Sequence, residues 1–174
     1  MSLITTSIYY MNRHTLLLLI SISILVIVVS VLTNFNKYVV VCDSLELQVI
    51  DGDTFRWHNK KVRIYGIDTL ELTKQKKWVL HYIDKKNYSC LKYYAYRAKE
   101  VLENIFNNYC IKIEFLGHDK YGRILARVYN CTGNICTDIG EYLVLNGLAI
   151  SFGDTYKYAE RFARRRNLGF WSCN

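Results

Sequence analysis

A small set of carboxylates and two arginines lies at the ends of short apolar segments, where they could do chemistry together. Asp51-Gly52-Asp53-Thr54 interrupts one apolar run, Arg63 lies in the next, and Asp68, Thr69 and Glu71 follow at its end. Far along the chain, Asp119-Lys120-Tyr121-Gly122-Arg123 supplies a second arginine in a turn. An anionic phosphodiester repels its nucleophile, and attack builds charge on the non-bridging oxygens, so a site for that reaction needs cations aimed at them. The planar forks of Arg63 and Arg123 can each grip two phosphate oxygens, which a lysine point charge cannot reproduce. Asp53 and Asp68 are hard oxygen donors, better suited to calcium than to zinc. The combination implies metal-assisted phosphodiester cleavage. Each part alone means less: Asp-Gly-Asp is a common turn, Arg63 could be a surface ion-pair partner, and Arg123 could simply end its turn.

In order and spacing these residues resemble the thermonuclease family, whose type member is staphylococcal nuclease, over roughly residues 45–173. Asp51 to Thr54 match its Asp-Gly-Asp-Thr, and Arg63, Asp68, Thr69, Leu70 and Glu71 match its Arg-x4-Asp-Thr-Pro-Glu. Asp119 to Arg123 match its Asp-x-Tyr-Gly-Arg turn, and Gly147-Leu148-Ala149 through a basic helix to Trp171 matches its C-terminal part. The resemblance implies a nuclease acting on DNA and RNA that cleaves the P-O5′ bond and leaves 3′-phosphate ends. It implies calcium bound directly by Asp53 and Asp68 and by the backbone carbonyl of Thr69, with Asp51 orienting these ligands. Arg63, Glu71 and Arg123 would be catalytic, Glu71 holding the attacking water either as general base or as a positioning anion. Tyr121 would contact phosphate; the family's later phosphate-contacting tyrosine could correspond to Tyr156 or Tyr158. Leu70 replaces the family's proline, in a chain with no proline at all, which predicts a less rigid turn before Glu71. Other readings are a catalytically inactive nucleic-acid-binding barrel and a membrane-anchored interaction module; the intact Arg63, Glu71 and Arg123 argue against the first.

Alternation predicts a strand over residues 45–57 that bends or bulges at Asp51-Gly52-Asp53, and another over 61–67 in which Arg63, Tyr65 and Ile67 share a face. A Lys- and Tyr-rich excursion over 74–92 precedes a helix over 93–106; strands over 111–116 and 124–129 flank the Asp119 turn, and helices follow over 139–146 and 156–167. The fold class is α+β, and the resemblance implies a five-stranded OB-type Greek-key barrel with about three packed helices. The formal charge of +8 favours a polyanionic partner. In the excursion Lys76 and Lys77 could track phosphates while Trp78, Tyr82 and Tyr88 stack on unpaired bases; the plainer alternative is a solvated loop. Arg161, Arg164, Arg165 and Arg166 read as a solvated face, and Trp171 as a core plug.

Ahead of this domain (residues 45–174) lie a short tail (1–15), an apolar segment (16–33) and a linker (34–44). The apolar segment has the length of a transmembrane anchor, and the absence of a small-x-small cleavage site favours an anchor over a cleaved secretory signal, which would leave a secreted protein. Arg13 and the α-amino group favour a cytoplasmic N-terminus and an outward-facing domain, periplasmic or extracellular, although Lys37 weakens that vote. Six cysteines all follow the apolar run, which predicts disulfides in an oxidising compartment. A hairpin around the Asp119 turn would bring Cys110 near Cys131, with Cys131 and Cys136 competing; Cys42 and Cys173 could tie the domain ends. No obligate protein partner is expected.

Overall fold

The apolar run folds as helix α1, Arg13–Asn34, in a computed structural model that describes residues 12–34, 37–73 and 87–173, the side chains of 30–34 excepted. Leu, Ile and Val side chains are exposed on every side of α1, so it is apolar all round rather than amphipathic. The hydroxyls of Ser21 and Ser23 donate to the carbonyls of Leu18 and Ile20, each at 2.8 Å. Among the described residues no helix is long and apolar enough to cross a membrane. The expected transmembrane helix is therefore not established by the fold.

The second unit begins at Tyr38, inside the segment expected to be a linker. Its β-branched run forms β1, Tyr38–Val41, which pairs antiparallel with β6, Cys110–His118, from Tyr38↔Glu114 to Val41↔Ile111. The other strands are β2 (Leu47–Val49), β3 (Thr54–Trp57), β4 (Lys60–Ile64), β5 (Ile67–Thr69), β7 (Ile124–Thr132), β8 (Ile135–Asp138) and β9 (Ala149–Ser151). One sheet runs β1-β6-β7-β4-β3-β2 with β8 also on β7, and β5 pairs β9 in a separate ribbon. The five-stranded barrel is thus present only as the path β6-β7-β4-β3-β2. Beyond it β1 and β8 are added, and among the described residues β1 and β2 end the sheet without pairing to one another, giving a curled half-barrel. Strand β7 explains the shape, since its one edge is divided: β4 runs parallel to residues 124–126 and β8 antiparallel to 129–132.

Among the described residues three helices pack on this unit: α2 (Tyr88–Asn108), α3 (Ile139–Leu145) and α4 (Lys157–Arg165). Helix α2 starts earlier than expected, taking Tyr88 and Lys92 out of the excursion. It buries Leu91, Ala95, Ala98, Leu102 and Phe106, spaced three or four apart along one face. Ala98, Leu102 and Phe106 join Phe55, Val62, Ile64, Ile111, Ile113 and Val128 in the main core, where Phe106 meets Phe55 edge-on at 5.0 Å. A second core holds Leu70, Leu91, Ala95, Ala163, Phe170 and Trp171, with Trp171 buried as the plug its position implied.

Two local readings change. Residues 45–57 are not one bent strand: Val49 pairs with Phe55 across a hairpin, and the amides of Ile50 and Asp51 both donate to Thr54 O. Asp51-Gly52-Asp53 is therefore the turn itself. The next strand stops at Ile64, because Gly66 (φ 78°) swings the chain into β5 and turns Ile67 inward. Gly66 accepts from the Phe152 amide at 2.8 Å, which fastens that corner to the end of β9.

The cysteines form Cys42–Cys110, Cys90–Cys173 and Cys131–Cys136. Cys110 and Cys131 do face one another across β6 and β7, as the hairpin predicts, but each has an outer neighbour. The β1 register sets Cys42 beside Cys110, and β8 sets Cys136 opposite Cys131. Cys173 bonds Cys90 on α2 instead of Cys42.

Candidate active site

The parallel pairing of β4 with β7 brings the two arginines together. Arg63 lies opposite Leu125, and Arg123, two residues before Leu125, belongs to the same face of the sheet. Both open onto a cavity of about 800 Å³ that is also lined by Asp51, Asp53, Asp68, Thr69, Glu71, Asp119, Lys120 and Tyr121. All the predicted catalytic and metal-binding residues therefore meet in one place. Lys76 and Lys77 lie outside the described residues. Tyr156 is buried and donates its hydroxyl to Asp138 at 2.8 Å, and Tyr158 lies on α4, so neither lines this cavity.

Asp53 is the structural centre. Its Oδ2 accepts from the Thr69 amide (2.8 Å) and hydroxyl (3.1 Å), and its Oδ1 accepts from the Thr54 hydroxyl (2.8 Å). Arg63 Nη1 also donates to Asp53 Oδ1, while Nη2 donates to Asp68 Oδ1 at 2.5 Å and to Ile67 O at 3.1 Å. The turn that presents Asp53 needs its glycine for space: a Cβ on Gly52 would lie 2.7 Å from Ala98 Cβ and 2.9 Å from Thr69 Cγ2. Ribbon β5-β9 aligns Asp68 with Ile150 and Thr69 with Ala149, so the Gly147-Leu148-Ala149 segment serves the site by holding its strand.

Arg123 is set by its own turn. The Asp119 carboxylate accepts from the amides of Tyr121 and Arg123, both at 2.9 Å, and from Arg123 Nε at 2.7 Å. Both terminal amino groups of Arg123 have no hydrogen-bond partner among the described residues, and its guanidinium lies 5.7 Å from the Tyr121 ring centre. Asp119 was not singled out from the sequence as a positioning residue, although its four-residue spacing to Arg123 in a tight turn was a usable signal. Phe152, 70% exposed, also lines the cavity, and no sequence pattern marked it.

Glu71 follows Leu70, which is 3% exposed. The leucine that stands in place of proline thus anchors the turn through the second core instead of through a fixed φ.

Burial opposes ionisation of Asp53, but the Arg63 guanidinium and the hydrogen bonds from Thr69 and Thr54 prevail and hold its carboxyl below the ordinary range. Burial also works against the Arg63 charge, and Asp53 and Asp68 more than offset it, raising the arginine's affinity for its proton. Asp51 fares differently: burial first, then the charge of Asp53, push its carboxyl up to about 6. Five carboxylates (Asp51, Asp53, Asp68, Glu71 and Asp119) line the cavity against Arg63, Lys120 and Arg123. That local acidic excess stands out in a chain of charge +8, and all-oxygen donors are the kind that suit a hard divalent ion. Among the described residues no three acidic, His or Cys side chains converge as a ready metal cage; Arg63 lies between Asp53 and Asp68.

A curled sheet with three packed helices, presenting paired arginines and clustered carboxylates beside the parallel strand pair, defines the staphylococcal nuclease class of α+β domain. The model of the staphylococcal nuclease homologue family matches residues 61–173, and the chain belongs to that family, whose members are in general nucleases. The matched span includes Arg63, Asp68, Glu71, Asp119 and Arg123; Asp51 and Asp53 precede it. An uncharacterized protein of Methanocaldococcus jannaschii is 27% identical, the similarity covering 80% of this chain and 79% of the archaeal protein.

Proposed function

We propose that this protein is a calcium-dependent nuclease, hydrolysing phosphodiester bonds in DNA and RNA and leaving 3′-phosphate ends. The observation that carries the reading is the convergence of Arg63 and Arg123 from adjacent strands on a cavity that also holds Glu71 and the acidic cluster. Arg123, its Nε fixed by Asp119, offers its two terminal amino groups to phosphate oxygens. Arg63 shares the charge that develops there, and Glu71 positions the attacking water and draws on its proton. Asp53, Asp68 and the Thr69 carbonyl would hold calcium, with Asp51 behind them; the ion supplies Lewis-acid polarisation of the phosphoryl group. Tyr121 lies beside Arg123 as a further phosphate contact.

The same proposal places the domain on the outer side of a membrane, tethered by α1. Its apolar character on all sides supports this, as does the absence of free cysteines among those described, which suits an oxidising compartment. Alkaline extraction should leave the full chain with the membrane fraction, and release into the supernatant would remove the tether.

To test the activity, the oxidised full chain in mild detergent is incubated with single-stranded DNA and RNA, first in calcium and then in excess chelator. Calcium-dependent cleavage is expected, falling roughly 10³-fold or more in Arg63→Ala and in Arg123→Ala. Binding without cleavage in folded protein would identify an inactive nucleic-acid-binding barrel instead.

A further inference from the structure

Helix α4 carries a face that neither the core nor the proposed site uses. Ala159 and Ala163 are its buried residues, and their small side chains let the helix lie close to its neighbours. Tyr158, Arg161, Phe162 and Arg165 follow at i, i+3, i+4 and i+7, which aligns them in one stripe. That spacing usually marks a stripe facing a core, yet Tyr158 is 74% exposed and both arginines are exposed. With Arg166 the stripe lines a groove of about 420 Å³.

The charge in this groove is unanswered. Glu160 is committed to Arg164 at 2.6 Å and to the Ser151 amide at 2.8 Å, and Asp154 pairs with Lys157. Arg161 and Arg165 have no ion-pair or side-chain hydrogen-bond partner among the described residues. Arg164, by contrast, stacks on Trp171 at 4.2 Å and belongs to the fold. Arginine forks interleaved with aromatic rings are the pattern that grips phosphates and stacks bases. Position favours the same ligand. Phe152 lines the catalytic cavity and Tyr158 opens the groove six residues later, so their Cα atoms lie within about 22 Å of one another.

We propose that the Tyr158-Arg161-Phe162-Arg165 groove is a second binding site for single-stranded nucleic acid, holding the strand a few nucleotides away from the bond being cut. The proposal rests on the nuclease reading for its substrate and names where a long strand gains affinity that a short one lacks. Arg161 and Arg165 hold phosphates, Tyr158 offers a face to an unpaired base, and Phe162, with the Arg166 guanidinium 5.1 Å from its ring centre, backs the groove.

The test compares the full chain with Arg161→Gln/Arg165→Gln, both in neutral-lipid nanodiscs, using a 20-nucleotide single strand and a dinucleotide. Binding is measured without calcium over a range of salt, and cleavage with calcium. For the long strand the double variant should bind about 10-fold more weakly, and its slope of log K against log salt should shrink by about 1.4, two phosphate contacts at about 0.7 each. KM for that strand should rise with kcat unchanged, while dinucleotide cleavage stays at the wild-type rate. An unchanged salt slope, or equal weakening on both lengths, overturns the groove. If the slope is unchanged and the substitutions instead abolish a phosphatidylserine-dependent protection of α4 from hydrogen exchange, the arginines serve lipid headgroups and the proposal also fails. Length-dependent binding lost in a protein that never cleaves would uphold the groove and refute the nuclease reading; cleavage with an unchanged slope would do the reverse.

Discussion

Gly52 shows how narrowly the acidic turn is fitted. A methyl group there would press on Ala98 and Thr69 at 2.7 and 2.9 Å, and Thr69 is the residue whose amide and hydroxyl hold Asp53. Gly52→Ala should lower stability by about 1–3 kcal/mol and reduce cleavage further than the lost stability explains. Thermal unfolding together with a rate measured well below the transition checks this, and a wild-type rate would show that the turn yields freely. Asp119 acts at the same scale through Arg123. Asp119→Asn should lower kcat by up to about 10²-fold, as a misaimed group would, with little change in the melting temperature. Burial works against the Asp119 charge, but hydrogen bonds from Arg123 and from the turn amides hold its carboxyl below the ordinary range. The ordering it provides is therefore complete above the ordinary carboxylate pKa and is lost as pH falls through the lowered one.

At the scale of elements, the turn before Glu71 is held by a side chain where proline would have used the backbone. Leu70 sits among Leu91, Ala95, Phe170 and Trp171, so Leu70→Ala should cost about 2–5 kcal/mol and loosen Glu71 with it. Leu70→Pro, which the sequence alone favours as a stiffening change, should now lower stability, since it empties the same pocket; denaturant unfolding of the two variants decides. The residues that do chemistry were legible because phosphate and metal chemistry restrict residue types at fixed spacing. The elements that aim them were less so. Alternation on both sides of Asp51-Gly52-Asp53 looks the same whether the chain bulges or doubles back, and only pairing of Val49 with Phe55 distinguishes them. Strand β1 was hidden because four residues without turn signals resemble a linker until β6 is beside them. The joining of β4 to β7 is a non-local pairing that no periodicity encodes.

For the molecule as a whole, two of the three disulfides tie elements far apart in sequence. Cys90–Cys173 closes a separation of 83 residues and fastens α2 to the C-terminal turn around the Leu70 core, with Asn87 donating to the Cys173 carbonyl beside it. Cys90→Ser/Cys173→Ser should lower stability by about 2–5 kcal/mol and reduce activity through Glu71, whereas Cys131→Ser/Cys136→Ser, closing a separation of only 5, should cost less. Melting curves of the two double variants rank them, and the opposite order would show that the Leu70 core stands without its clamp.

The shared edge of β7 has a kinetic corollary. Because Arg63 and Arg123 come from strands paired through Arg63↔Leu125, their separation is written in a hydrogen-bond register. A slip of one residue would move Arg63 by about 3.3 Å and turn it toward the apolar side. A misregistered chain could keep its strands, its helices and even its far-ultraviolet spectrum while losing the phosphate grip entirely. Turnover regained on refolding would then serve as a head count of molecules that found the right alignment, a quantity that secondary-structure signals alone would overstate.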